Sequence, residues 1–153
     1  MFRELGPDAR ELLSIVAFFP QGVNQKNLDW FFPTIFNRMK IFDKFHSLSL
    51  TYRSNEFITM FAPLRDYLTP KDPKASSLLR TIKECYFSRL AAEVEPRSPS
   101  FKDTRWITSE DVNVEHLLDV FTSIEPDSPI VWDTCVYFIA PLLAQTTTNR
   151  VGA

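Results

Sequence analysis

The spacing of apolar residues changes its period near Leu48, and this change constrains the fold more than any other feature of the sequence. Upstream of that point, apolar side chains recur at every third or fourth position, which is the period of a helix face. These residues are Ile35, Met39, Phe42, Phe45 and Leu48. Downstream, Leu48, Leu50 and Tyr52 alternate with polar residues, which is the period of a strand. The sequence therefore predicts an amphipathic helix that is followed directly by a strand.

The segments before this helix predict two further short helices. Residues 8–19 place apolar side chains on one helical stripe, and Pro7 directly before them favours a helix start. Pro20 then ends that helix. Asn24 can cap a second short helix, in which apolar residues recur at helical spacing until Pro33 interrupts the pattern. We therefore expect three helices before the first strand.

The residues after the first strand complete a β-hairpin. Ser54-Asn55 is typical of a tight turn, and residues 56–61 are rich in β-forming side chains, so they predict the returning strand. Pro63 suits the first turn of another short helix over residues 62–68. Because three short helices followed by a hairpin are the order of a winged helix, we predict a winged-helix domain over residues 1–69.

A second region, over residues 70–144, is also predicted to be helical. The proline-punctuated run at 71–73 marks the boundary, and the apolar spacing beyond it predicts a long helix over residues 75–94. We expect the charged residues of that helix to lie on its solvent side. They are Arg80, Lys83 and Glu84. The fold class predicted for the whole chain is mainly α.

Two more helices are predicted before the apolar period disappears. Thr108 followed by Asp111 resembles a capping box at the start of the first of them. The second is expected to begin at Pro129, since proline is favoured in a first helical turn. Residues 145–153 carry no apolar period, and we expect a disordered tail there.

The composition excludes nucleotide hydrolysis by this chain alone. A phosphate-binding loop needs closely spaced glycines followed by a lysine, so that backbone amides converge on the phosphate. The glycines here are Gly6, Gly22 and Gly152, and none of them precedes a lysine. The chain carries 17 basic and 19 acidic side chains, a balance that gives no long-range attraction to nucleic acid or to anionic lipid.

The sequence contains no catalytic or metal-binding pattern that we recognise. His46 and His116 lie beside apolar residues and are typical of helix surfaces. Cys85 and Cys135 lie in apolar runs, which favours small buried hydrophobes, with a disulfide or a reactive thiol as the alternatives. Their spacing matches no set of zinc ligands. We predict no enzymatic activity and no metal or cofactor in this chain.

The sequence also predicts no targeting or membrane segment. The first residues lack the apolar stretch of a signal peptide. The longest uninterrupted apolar run, over residues 136–144, is too short to cross a bilayer. We therefore expect a cytoplasmic protein without a membrane partner.

The third predicted helix bears on DNA binding, because many winged helices insert that helix into the major groove. Arg38, Lys40 and Lys44 on the helix, with Arg53 on the hairpin, could contact phosphates. Acidic residues lie among them, however, and a sparse basic face is usually a solvated one. We expect no nucleic-acid partner, and DNA docking stays open only as an alternative.

Consecutive aromatic residues at Trp30-Phe31-Phe32 indicate a domain interface. These side chains cannot all point inward from one helix, so at least one should meet a neighbouring domain. We take Trp30 and Phe32 as the candidates.

Four segments together carry a resemblance to a known family. They are LLSIVAFFPQGV at 12–23, LDW at 28–30, LSLTY at 48–52 and MFAPLRDYL at 60–68. Over residues 5–68 the chain resembles the winged-helix region of NB-ARC and NACHT-type signal-transduction ATPases, the nucleotide-switched cores of plant and fungal innate-immunity-like receptors. The segment at 106–118 is similar to fungal members, in which this region leads into tetratricopeptide-like helical repeats. The resemblance thus implies that residues 70–144 begin a helical-repeat array.

The family's Met-His-Asp motif falls on Met60, Phe61 and Ala62. In the family, the histidine of that motif approaches the β-phosphate of bound ADP and holds the closed state. Here Phe61 offers no hydrogen bond to a phosphate, and Ala62 lacks a carboxylate, so the sensor is degenerate. The alternative is that Met60 and Phe61 are core residues at the end of a strand.

The resemblance implies a non-catalytic regulatory role. The partner would be a nucleotide-binding domain, upstream of Met1 or on another chain, which would hold ADP or ATP. Met60, Phe61 and Arg65 would face that domain. The alternative function is a winged helix that docks protein or DNA without coupling to a nucleotide.

Overall fold

The chain is mainly helical in the computed structural model, as the sequence predicts. The structure describes residues 5–32, 34–69, 71–72, 77, 79–84, 88, 109–133 and 135–136. The helices are α1 (Pro7–Phe18), α2 (Leu28–Phe31), α3 (Arg38–Ser47), α4 (Ala62–Leu68) and α5 (Asp111–Ile124), with a 3-10 turn at Gln25–Asn27. The strands are β1 (Val23–Asn24), β2 (Tyr52–Ser54) and β3 (Phe57–Thr59). Residues 79–84 and 129–133 are also helical.

The chain divides into two compact units. The first spans Met1–Ile82 and the second Lys83–Ala153. The predicted domain boundary lies at residue 69, directly after α4, and that limit stays a prediction. The predicted tail over residues 145–153 and most of the predicted helix over 75–94 lie outside the described residues.

The helix α1 supplies a large part of the core of the first unit. Pro7 occupies its first turn, and Phe19 leaves the helical conformation with ψ at 124° just before Pro20. Its buried residues are Ala9, Leu12, Leu13, Ile15, Val16, Ala17 and Phe18. The helix packs against α4 and β3, so the segment that follows the hairpin closes over the first helix of the chain.

A three-stranded antiparallel sheet has β3 at its centre, in the order β1-β3-β2. Val23 of β1 and Arg53 of β2 both lie opposite Ile58. The predicted hairpin and its turn are present, and Asn55 in the turn takes a φ of 54°. The strand β1 was not predicted, because two residues show no period and exist as a strand only through pairing with β3.

The junction between α3 and β2 differs from the prediction. Leu48 is the C-cap of α3 and is 40% exposed, and Ser49 takes a φ of 57°. The amide of Leu50 donates to the carbonyl oxygen of Phe45 at 2.9 Å, which keeps this residue in the turn that follows the helix. The predicted strand from Leu48 was therefore wrong in its start, since a helix cap and a turn precede Tyr52.

The buried face of α3 is also narrower than predicted. Phe42 and Phe45 are buried, with their ring centroids 5.8 Å apart in an edge-to-face arrangement. Ile35 is buried just before the helix begins, whereas Met39 is 46% exposed. Met39 belongs to the apolar spacing that predicts this helix, and in the structure it lies partly in solvent.

In the second unit, the prediction that Lys83 lies on the solvent side of its helix was wrong. Its side chain is 7% exposed instead of lying in solvent, and its Nζ contacts a carboxylate oxygen of Glu125 at 2.7 Å. The same Nζ lies 4.7 Å from the centroid of the Phe121 ring, within cation–π range. The N-cap of α5 is Glu110, not Thr108, which lies outside the described residues.

Candidate interaction site

Two aromatic rings stack on the outside of the first unit. Tyr52 and Phe61 have ring centroids 4.8 Å apart, with an angle of 34° between the ring planes. Tyr52 is 37% exposed and Phe61 is 57% exposed. We call these two residues the aromatic pair. Large apolar side chains that remain in solvent side by side are a feature of surfaces that bind other molecules.

The hairpin register brings the aromatic pair together. Tyr52, at the start of β2, lies opposite Thr59, the last residue of β3. Phe61 follows Thr59 by two positions, so its ring reaches back to Tyr52. Between them, Met60 is 2% exposed and anchors the chain in the core. Because neighbouring side chains of an extended backbone point to opposite sides, an inward Met60 turns Phe61 outward.

The start of α4 holds Phe61 in this position. Phe61 is the N-cap residue of α4, with φ at −65° and ψ at 141°, and its carbonyl oxygen accepts the first backbone hydrogen bonds of the helix. Pro63 in the first turn restricts the backbone and needs no donor there. The aromatic pair is therefore fixed at its base by a strand on one side and a helix on the other.

The structure separates the three positions of the degenerate motif. Met60 is a core residue, as the alternative interpretation proposed, whereas Phe61 and Ala62 are exposed. The interpretation of both Met60 and Phe61 as core residues thus holds for Met60 alone. A partner that approached this segment would contact the ring of Phe61 and could not reach Met60.

The other candidate interface residues have different surroundings. Arg65 is partly buried, and its Nη1 donates to the carbonyl oxygen of Pro20 at 2.9 Å. Phe32 is 1% exposed, and its ring centroid lies 6.4 Å from that of Phe42. It therefore belongs to the core of the first unit. The side chain of Trp30 lies outside the described part of the chain.

Several charged side chains around α3 and the hairpin form ion pairs with each other. Arg38 pairs with Asp29, and Arg53 lies 3.6 Å from Asp43. Of the four basic residues considered for DNA contact, the other two are Lys40 and Lys44. Within the described residues these two lysines have no ion pair, so they are the free cations of this face.

The turn of the hairpin is linked to the 3-10 turn by a third ion pair. Lys26 donates to Glu56, and the amide of Gln25 donates to the carbonyl oxygen of Glu56 at 2.8 Å. The hydrogen bond from Lys26 is the main reason that the pKa of the Glu56 carboxyl lies below its ordinary value. This contact ties the exposed hairpin to the segment that carries β1.

Groups able to perform chemistry remain separate in the described residues. The Nδ1 of His46 lies 3.3 Å from the carbonyl oxygen of Thr51, and no cluster of three potential metal ligands occurs in the described ranges. Burial raises the pKa of the Cys135 thiol, which disfavours the reactive thiolate. Cys85 lies outside the described residues. We take the aromatic pair, whose two exposed rings contact each other, as the candidate binding feature of the first unit.

Of the two residues in the aromatic pair, Phe61 is a predicted site residue and Tyr52 is not. The alternation from Leu48 predicts one shared strand face for Leu48, Leu50 and Tyr52, and it carries no information about the contact of Tyr52 with Phe61. No local signal marks the turn that precedes Tyr52, because Ser49, which has a φ of 57° there, is not a residue type that favours the left-handed conformation.

None of the helices in the described part of the chain combines the length and the apolar character needed to cross a membrane. Comparison of the chain with family models, with curated proteins and with solved structures gave no match.

Proposed function

We propose that residues 5–69 form a winged-helix module, without catalytic activity, that docks a protein partner through the aromatic pair of Tyr52 and Phe61. The element order supports the winged helix: α1, β1, α2 and α3 precede the hairpin, and β1 pairs with the hairpin's second strand. The observation that carries the docking role is the stacked, exposed pair itself.

The chemistry of the pair favours a protein partner. Phe and Tyr rings bury a large apolar area at a small cost in side-chain entropy, and for this reason they are enriched among the residues that dominate protein interfaces. The pair is already ordered by its own stacking and by the N-terminus of α4, so a partner would order little more on binding. The tyrosine hydroxyl supplies a polar group at the rim.

We further propose that the partner is a nucleotide-binding domain of the NB-ARC or NACHT type. In that case Phe61, which stands where the family has its histidine, would contact the domain through apolar packing and not through a phosphate. The nucleotide, ADP or ATP, would belong to the partner domain. Arg65 would support the contact by holding α4 against the turn at Pro20. A cytoplasmic location and a role in a signalling switch belong to this proposal.

Docking of DNA is the weaker alternative. Arg38 and Arg53 are engaged with Asp29 and Asp43, so a phosphate would have to displace a carboxylate at each of them. The chain as a whole has a formal net charge of −2. These observations support the choice of a protein partner.

A site-specific photocrosslink tests the docking role. We would place p-benzoylphenylalanine at Phe61 and, as a matched control, at Met39, which is 46% exposed on α3. In the cells that normally produce the chain, we expect an adduct from position 61 with a polypeptide that carries a Gly-rich loop followed by a lysine. Equal adducts from both positions, adducts with nucleic acid, or none from position 61 would contradict the docking role.

The same adduct separates the two forms of the proposal. A partner without a phosphate-binding loop would support protein docking and contradict the nucleotide switch. Phe61→Ser provides the second control. Because the ring is 57% exposed, this change should leave the thermal unfolding temperature nearly unchanged while it removes the interaction.

A further inference from the structure

The hydroxyl of Thr69 ties the ends of two helices together. Its Oγ1 lies 2.8 Å from the carbonyl oxygen of Arg65, one turn back in α4, and 3.2 Å from the carbonyl oxygen of Ala17 in the last turn of α1. Arg65 makes a second tie, from its Nη1 to the carbonyl oxygen of Pro20. The donors are Arg65 of α4 and its C-cap Thr69, and the acceptors lie in the last turn of α1 and directly after it.

The backbone around Thr69 suits recognition by an enzyme. Thr69 is the C-cap of α4, with φ at −57° and ψ at 129°, and its side chain is partly exposed. The following Pro70 favours this extended conformation. Lys71, next along, is exposed. A hydroxyl on extended chain, followed by proline and then by a cation, has the chemistry that a proline-directed protein kinase recognises.

We propose that Thr69 is a phosphorylation site and that its modification releases α4 from α1. In the reaction, Thr69 Oγ1 attacks the γ-phosphorus of a nucleoside triphosphate that is bound to the kinase. The new O–P bond forms as the bond between the β- and γ-phosphates breaks, and the nucleoside diphosphate leaves. The hydroxyl proton passes to the base of the kinase. This inference does not depend on the proposed docking function.

The phosphate would remove both ties at once. Phosphorylated Oγ1 has no proton to donate to Ala17 or Arg65, and the phosphate brings nearly two negative charges to the carboxyl ends of α1 and α4. Those ends carry the negative poles of the helix dipoles, so the phosphate is repelled. The Arg65 guanidinium lies one helical turn away and is attracted to the phosphate, which draws it from the carbonyl oxygen of Pro20.

The test treats the full chain with a proline-directed kinase and MgATP and maps the modified residues by mass spectrometry. Serine followed by proline also occurs at Ser98 and Ser128, so the experiment uses an S98A/S128A background. Thr69→Ala is the negative control for modification. Thr69→Val removes both hydrogen bonds of the hydroxyl without adding charge.

Hydrogen exchange then reports the state of α4. We expect phosphate on Thr69 of the folded chain, and amides of α4 that exchange at least about tenfold faster than in the unmodified chain. Thr69→Val should produce a smaller increase. The proposal is overturned if Thr69 is modified only after denaturation, or if modification leaves the exchange of α4 unchanged. It is also overturned if Thr69→Val accelerates exchange as much as the phosphate does.

Discussion

Gly22 lies where the turn after α1 meets the central strand of the sheet. Its φ is +82°, and a Cβ built on it would lie 2.1 Å from the carbonyl oxygen of Ile58. Two independent conditions therefore require glycine at this position. The left-handed conformation disfavours a side chain, and the backbone of β3 leaves no room for one.

Replacement of Gly22 by alanine should destabilise the first unit by about 3–5 kcal/mol, since the new methyl group meets backbone atoms that cannot move aside without breaking the sheet. Chemical denaturation followed by circular dichroism measures the change. Gly6→Ala is the matched control, because nothing lies within 4 Å of its added Cβ. As Gly6 is the N-cap of α1, we expect a cost below about 1 kcal/mol for the control. Similar losses in the two variants would show that the close approach to Ile58 is not important.

Among the elements, the contact between the hairpin and the 3-10 turn should contribute a stability that depends on pH, through the carboxyl group of Glu56. Lys26→Met should raise the pKa of Glu56 towards its ordinary value of 4.5, since the hydrogen bond from Lys26 is the main cause of the lowering. Carboxyl carbon chemical shifts followed by NMR over a pH titration measure this pKa. Lys40→Met is the control, and it should leave the pKa unchanged.

The sign of the effect on stability follows from the direction of the shift. A carboxyl whose pKa is lowered by folding favours the folded state at pH values above its ordinary pKa, and this contribution is lost as the pH falls through the lower folded value. Wild type and Lys26→Met should therefore differ more near neutral pH than in acid. A difference that persisted undiminished at low pH would contradict this assignment.

Within the second unit, Lys83 pairs with Glu125 and lies over the ring of Phe121 in α5. Lys83→Ala should destabilise the second unit by about 2–4 kcal/mol, because it leaves the partly buried Glu125 carboxylate without its cation and opens space beside Phe121. Glu84→Ala, at an exposed neighbouring position, should change stability by less than about 0.5 kcal/mol. Thermal unfolding compares the two variants. Equal effects would mean that the ion pair contributes nothing.

For the whole molecule, the balance of charge predicts weak binding to DNA. We expect the chain to bind a random 20-base-pair duplex with a Kd weaker than about 100 μM at physiological salt, as measured by fluorescence anisotropy. The double variant D29N/D43N frees Arg38 and Arg53 from their ion pairs and should bind more tightly. Tight, salt-dependent binding by the unmodified chain would instead support the DNA alternative.

The elements with strong local signals could be predicted from the sequence. The limits of α1 and α4 follow from apolar spacing and from the prolines near their ends, and the side chain of Asn24 accepts from the amide of Lys26 as a capping residue does. The hairpin turn at Asn55 follows from turn chemistry. In each case the conformation depends on residues within one or two turns of each other.

The candidate site was predicted only in part. The resemblance drew attention to Phe61, but its exposure and its stacking on Tyr52 depend on the register of β2 against β3. The hydrogen bond from Thr69 to the carbonyl oxygen of Ala17 could not be predicted, because Ala17 lies 52 positions earlier in the chain. Contacts of this kind are absent from any local window of the sequence.

Residue types and short-range spacing are enough to predict the mainly helical character of the chain, the hairpin after α3 and the lack of a phosphate-binding loop. The tertiary structure alone decided which apolar and charged residues are covered. It formed β1 by pairing it with β3, buried Lys83 and left Met39 exposed. Burial and long-range pairing depend on which surfaces meet, and the spacing of residues within one segment carries no information about the segment that will cover it.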